Sequence, residues 1–143
     1  MHVLVVDAAN VVGSRPTGWW RDRAGAAARL HGSLLDADLA ADGGADLAAD
    51  GGADGGADLA ADLVVLVLEG AARAGQAEGT VGRVRTVHAE GSGDDAVVAT
   101  VHEHVAGGDD VTVVTADRGL RERVTAAGGT CVGPSWLLDR LPE

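Results

Sequence analysis

Three short apolar runs constrain this chain more than anything else in it: "HVLVV" at 2–6, "LVVLVL" at 63–68 and "VTVVT" at 111–115. Each is too short to cross a membrane and lacks polar alternation, so each predicts a strand with both faces covered. Such strands belong to parallel sheets, whose crossover connections lay helices on the faces. The stretches between them supply those helices. "WWRDRAGAAARLHGSLL" (19–35) carries Ala and Leu at helical spacing. "GDDAVVATVHEHVAGG" (93–108) opens on acids and closes on Gly, as the helix dipole and capping favour, and "DRGLRERVTAAGG" (117–129) also ends on Gly. "PSWLLDRL" (134–141) puts Pro at a first helical position. "RVRTVHA" (83–89) alternates and predicts an edge strand, and "TCV" (130–132) predicts a short one. The expected fold is α/β: a three-layer α/β/α sandwich around a mostly parallel sheet of about five strands.

The 143 residues suit one domain, 1–143. Phe and Tyr are absent and there are three Trp, so the core must be built from Val, Leu and Ala. The single cysteine, Cys131, rules out an internal disulfide. It lies in a short apolar run without basic neighbours and reads as packing rather than a reactive thiol. "MHVLVVDAAN" has neither the basic start nor the cleavage pattern of a secretory leader, which predicts a cytoplasmic protein with no membrane association.

Residues 36–62 interrupt the pattern. ADLAADGG at 37–44 recurs letter for letter at 45–52, and Asp returns every fourth position from Asp38 to Asp62. A continuous helix would stack like charges at i,i+4, and each Gly of the Gly-Gly pairs would cost it roughly 1 kcal/mol. The unit matches neither a calcium-binding loop nor a solenoid repeat. The segment therefore predicts a solvated, flexible insertion within the domain. It also accounts for much of the net charge of −11: eight of the 22 acids lie there and no basic residue does, leaving 22 − 8 = 14 acids against 11 Arg elsewhere. Arg clusters at 15–29 and 118–123 leave room for a basic surface.

In open parallel sheets, ligands bind beyond the carboxyl ends of the strands. Acids gather there. Asp7 follows the first strand, Glu69 the second and, two residues on, Asp117 the third; Asp94 and Asp95 open the helix that precedes the third. So many acids at one sheet edge repel strongly unless a cation sits among them, and an all-oxygen set suits Mg²⁺ or Mn²⁺ rather than zinc. Taken singly, each acid is equally explained as a loop residue, and Asp94 or Asp95 as a helix cap. Asn10 could orient a ligand water or phosphate, or simply form a turn. Thr115 could contact a ligand through its hydroxyl, or sit there for its β propensity. His88, His102 and His104 show no zinc-ligand spacing and read as surface or packing positions.

These residues resemble the PIN-like nuclease superfamily and, within it, the NYN-domain group. "VLVVDAANVV" is similar to its opening strand with an Asp and a nearby Asn. "GSGDDAVVATV" is similar to its helix-starting acid, "VTVVTADRGLRERV" to its strand ending in Thr-x-Asp before a helix, and "SRPTGWWRDRAGAA" to a form found in high-GC bacteria. The resemblance spans the chain apart from 36–62. It implies a metal-dependent ribonuclease, with Asp7, Asp117 and one of Asp94 or Asp95 as metal ligands, Asn10 as a supporting site residue, and RNA as partner. Glu69 rests on its strand-end position. Arg15, Arg21 and Arg118 then become candidates for holding phosphates, and Trp19 or Trp20 for stacking on a base, although one of the pair is expected to anchor the helix.

Two other readings compete: a non-catalytic RNA-binding module of the same fold, and a metal-dependent nucleotide phosphohydrolase. The absence of Lys and of a G-x-x-x-x-G-K-[ST] loop excludes a P-loop NTPase. No G-x-G-x-x-G follows the first strand, and neither Ser14 nor Ser92 lies in a G-x-S-x-G turn. Nothing in the sequence indicates a homo-oligomer.

Overall fold

The computed structural model describes residues 1–15, 18–43 and 61–141, with 38–43 as backbone alone. A six-stranded sheet forms the middle layer, in the order β3-β4-β2-β1-β5-β6. Its strands are β1 (His2–Asp7), β2 (Leu63–Leu68), β3 (Gly79–Val81), β4 (Val84–His88), β5 (Asp110–Val114) and β6 (Thr130–Val132). All neighbours pair in parallel except β3 and β4. The three apolar runs become β2, β1 and β5, side by side at the centre, where both faces of a strand must be covered.

Alternate side chains of those runs feed two separate cores. Leu4, Val6, Leu66 and Leu68 pack with Leu30 and Leu34 of α2 (Arg23–Gly43), Val11 of α1 (Ala8–Gly13) and Leu137 of α5 (Pro134–Leu138). Val3, Val5, Val65 and Val113 pack on the other face with Val97 and Val101 of α3 (Gly93–Ala106), and with Leu120 and Val124 of α4 (Arg118–Ala126). This is the three-layer α/β/α sandwich expected, and it is built almost without aromatics.

The differences from expectation are local. The sheet has six strands: β3 and β4 form a hairpin closed at Gly82 (φ 57), so β4 lies one place in from the edge. "GTV" is too short to carry a period, and its pairing comes from the turn. Trp19–Arg21 is a 3₁₀ turn, and the helix proper starts at Arg23, where the Asp22 carboxylate accepts the Gly25 N–H at 2.8 Å. Its far end overruns the predicted stop at residue 35 and continues to Gly43, through most of the first repeat unit. Ala and Leu propagate a helix already nucleated and packed, as far as Gly43, the last described residue of this stretch. The rest of the predicted flexible insertion, 44–60, lies outside the described residues.

The chain runs outward from β1 on both sides: to β2 and β4 on one, to β5 and β6 on the other. The strand order therefore reverses beside β1, and the carboxyl end of the sheet at such a switch point leaves a crevice between diverging loops.

Candidate functional site

Asp7 is the last residue of β1 and stands at the switch point, only 5 % exposed. Thr115, just past β5, is fully buried, and its hydroxyl donates to Asp7 Oδ2 at 3.1 Å. The same hydroxyl oxygen accepts the Asp117 N–H at 3.2 Å. Asp117 in turn caps α4, its Oδ1 accepting the Leu120 N–H at 3.0 Å. One threonine thus ties the acid at the end of β1 to the acid that starts α4. Asn10, on α1, accepts the Ala116 N–H at 2.8 Å and fastens the same loop from the other side.

Glu69 follows β2 directly and reaches across to α3, where its Oε2 accepts the Gly93 N–H at 3.1 Å. A Cβ at position 93 would lie 2.7 Å from Glu69 Oε1, so this approach needs glycine. Ser92 caps α3 by accepting the Asp95 N–H at 3.2 Å, so neither Asp94 nor Asp95 is the cap. The helix phase separates those two acids. Asp94 faces the other carboxylates, whereas Asp95 is exposed and paired with Arg123 at 2.9 Å.

Electrostatics tie Asp7, Glu69, Asp94 and Asp117 into one group. Burial pushes the Asp7 carboxyl up from 3.8 to about 6; the Thr115 hydrogen bond opposes this, while Asp94 and Glu69 add to it. Asp94 is raised by burial first, then by Asp117 and Glu69, with Arg123 pulling the other way. Each acid comes from a different segment of the chain, yet each of Asp7 and Asp94 is raised by the charge of others in the set.

A hard divalent cation is the group whose chemistry such a set fits: every donor is an anionic oxygen, and their mutual repulsion is what a cation relieves. Among the described residues, no group of three or more His, Cys, Asp or Glu side chains is arranged to hold a metal ion.

Arg15 is exposed just after α1, and Arg118 is exposed at the first position of α4. The Arg21 guanidinium lies 5.9 Å from the Trp20 ring centroid. Trp20 is 54 % exposed, whereas Trp19 is half-buried, meets it edge to face at 6.1 Å and packs over Gly13. Thr115, a candidate for ligand contact, has no exposed surface; its hydroxyl is engaged by Asp7 and Asp117, which makes it a positioning residue. The half-buried Cys131 has its thiol pushed up by burial, and the ring of His88 bonds the Gln76 carbonyl.

Three contributors were not legible in the sequence. Gly93 is one; a Gly before an acidic helix start is its only signal. Arg121 is another: its Nε donates to the Thr115 carbonyl at 2.9 Å, and nothing in the sequence distinguishes it from other helical arginines. The third is a cavity of about 250 Å³ beside Glu69, lined by Trp19, Arg23 and several alanines.

No family model matches the chain, and no curated protein matches it in sequence. Among solved structures it is similar to Rae1 (YacP) from Bacillus subtilis, in its W164L mutant form, with a TM-score of 0.61 and 16% identity. The match covers 96% of this chain and 73% of that one, and it is a likeness of fold.

Proposed function

We propose that this chain is a metal-dependent ribonuclease of the PIN-like, NYN-domain type, hydrolysing RNA phosphodiester bonds at the switch point beside β1. The observation that carries the reading is the meeting of Asp7, Glu69, Asp94 and Asp117 from four segments, with Asp7 buried and its carboxyl pushed up to about 6. Burying a carboxylate among other carboxylates works against folding, and a site that holds a cation is the ordinary reason to do so. The NYN-like motifs of the sequence supply the reaction class, and the fold likeness is compatible with it.

Asp7, Glu69, Asp94 and Asp117 would hold Mg²⁺ or Mn²⁺. Asp95, turned to Arg123, would not. Such a metal lowers the pKa of a bound water and stabilises charge on the attacking and leaving oxygens of the phosphodiester. Thr115 and Asn10 fix the loop that carries Asp117, so that acid is held before substrate arrives. Arg15 and Arg118, both exposed, would be the side chains to meet phosphates entering from solvent.

The test is cleavage of a mixed pool of single-stranded and structured RNA by the purified chain with Mn²⁺, Mg²⁺ or chelator. Cleavage is expected with metal only, and Asp7→Asn and Asp117→Asn should each lose it while keeping the fold. Cleavage at the wild-type rate by both variants would refute the assignment. The openness of the carboxylate set favours a second reading, a non-catalytic RNA-binding module. RNA binding that needs no metal and survives both substitutions, without any cleavage, selects it.

A further inference from the structure

The cavity beside Glu69 differs in character from the carboxylate group it touches. Its floor is made of small apolar groups: Ala8 and Val12 of α1, Ala27 of α2 and Ala72 of the turn after β2. Trp19 forms one wall, and the Arg23 guanidinium lies 5.3 Å from the centroid of that ring. At about 250 Å³ the cavity is smaller than the ~300–1,000 Å³ of sites for drug-sized ligands, which leaves room for one ring system.

We propose that this cavity is a nucleobase subsite that takes one unstacked base next to the cleaved phosphate. The inference rests on the ribonuclease reading. Three properties lead to it. An indole with a guanidinium 5.3 Å from its centroid makes an aromatic, cationic wall that suits a flat, hydrogen-bonding ring, whereas an aliphatic ligand would need neither. The alanine methyls and Val12 give the slot an apolar lining suited to the face of a base, and Arg23 and Glu69 supply a donor and an acceptor for its edge. The slot is also continuous with the carboxylate group: Ala8 follows Asp7 directly, and Glu69 lines both. A base held here is therefore within one nucleotide of a phosphate at Asp7. Trp20, exposed on the outer side of Trp19, lies outside the slot.

Neutral probes test this without the repulsion that the carboxylates would exert on a phosphate. The full chain, ¹⁵N-labelled and in chelator, is titrated with adenosine, uridine or ribose while the indole N–H resonances of Trp19, Trp20 and Trp136 are followed. Trp19 should shift with at least one nucleoside and not with ribose. Ala72→Leu, which puts a larger side chain into the slot, should weaken that response by about 5- to 150-fold, the range for stacking one base on an aromatic ring. An unmoved Trp19, an equal shift with ribose, or a response confined to Trp20 overturns the subsite; the wild-type titration alone suffices if Ala72→Leu fails to fold. The two readings fail separately. Metal-dependent cleavage lost in Asp7→Asn, with Trp19 silent, removes the subsite alone. Undiminished cleavage by both Asp7→Asn and Asp117→Asn, with Trp19 responding, removes the carboxylate site from the cleavage and leaves a nucleoside-binding slot.

Discussion

Asp7→Asn should make the metal-free protein more stable, by an amount that depends on pH. Asp7 is 5 % exposed, and burial, opposed by Thr115 but reinforced by Asp94 and Glu69, pushes its carboxyl from 3.8 to about 6. A carboxyl whose folded pKa lies above its unfolded value favours the fold only while protonated. Its contribution is complete below about 3.8 and is lost as pH rises through about 6. At 1.36 kcal/mol per pKa unit, the gap between 3.8 and about 6 corresponds to about 3 kcal/mol by pH 8. Asparagine keeps the shape and an oxygen for the Thr115 hydroxyl, so the substitution removes the charge and little else. Urea unfolding in chelator should therefore find Asp7→Asn about 2–3 kcal/mol more stable than wild type at pH 8, shrinking below about 1 kcal/mol at pH 4. Added Mg²⁺ or Mn²⁺ should close the gap at pH 8, because a ligand of the native state stabilises the wild type by mass action. Equal stability at both pH values, or an asparagine variant less stable at pH 8, would refute the argument that the fold carries an unrelieved charge at this position.

Other substitutions separate scaffold from chemistry. Asp117→Ala loses the cap on α4 and should cost about 1 kcal/mol in urea unfolding, whereas Asp117→Asn keeps the cap; both should abolish RNA cleavage. Gly93→Ala lies at the first residue of α3, where the interior preference for Ala hardly applies, and loses one hydrogen bond, so it should cost about 1 kcal/mol in urea unfolding. Its cleavage rate should fall, because the new Cβ displaces Glu69. Gly75→Ala meets backbone rather than a flexible side chain and should destabilise by roughly 1–3 kcal/mol in the same unfolding assay.

The sheet was legible because its three central strands are continuous runs of Val and Leu, a pattern that only burial on both faces explains. The elements the sequence did not announce are short and held by contacts made elsewhere. Strand β3 depends on its hairpin with β4, and α1 is six residues long, with Val11 packed into the core. The overrun of α2 has the opposite origin. Like-charge spacing and paired glycines argue against a helix in an isolated repeat, but a helix already packed along Ala27, Leu30 and Leu34 needs only a few favourable residues to continue.

The same reasoning explains why the acids were readable as a set and ambiguous one by one. Strand ends are fixed by the apolar runs, so Asp7 and Glu69 could be placed at the sheet edge from the sequence alone. Asp94 and Asp95 are adjacent on a helix, and about 100° of helical phase decides which one meets the others. That phase is set by Val97 and Val101 turning into the core, by the Ser92 cap and by Glu69 closing on Gly93, none of which the two aspartates reveal themselves. With the phase fixed, Asp95 gains Arg123 and is neutralised, while Asp94 is left facing Glu69 and Asp117. The arrangement gives one acid of the pair an ion-pair partner and leaves the other facing carboxylates whose charge Arg123 offsets only in part. The helix dipole favours an acid in the first turn but not one facing two further carboxylates, so Asp94, raised by burial and by Asp117 and Glu69, is a second argument beside Asp7 for the proposed cation at this edge of the sheet.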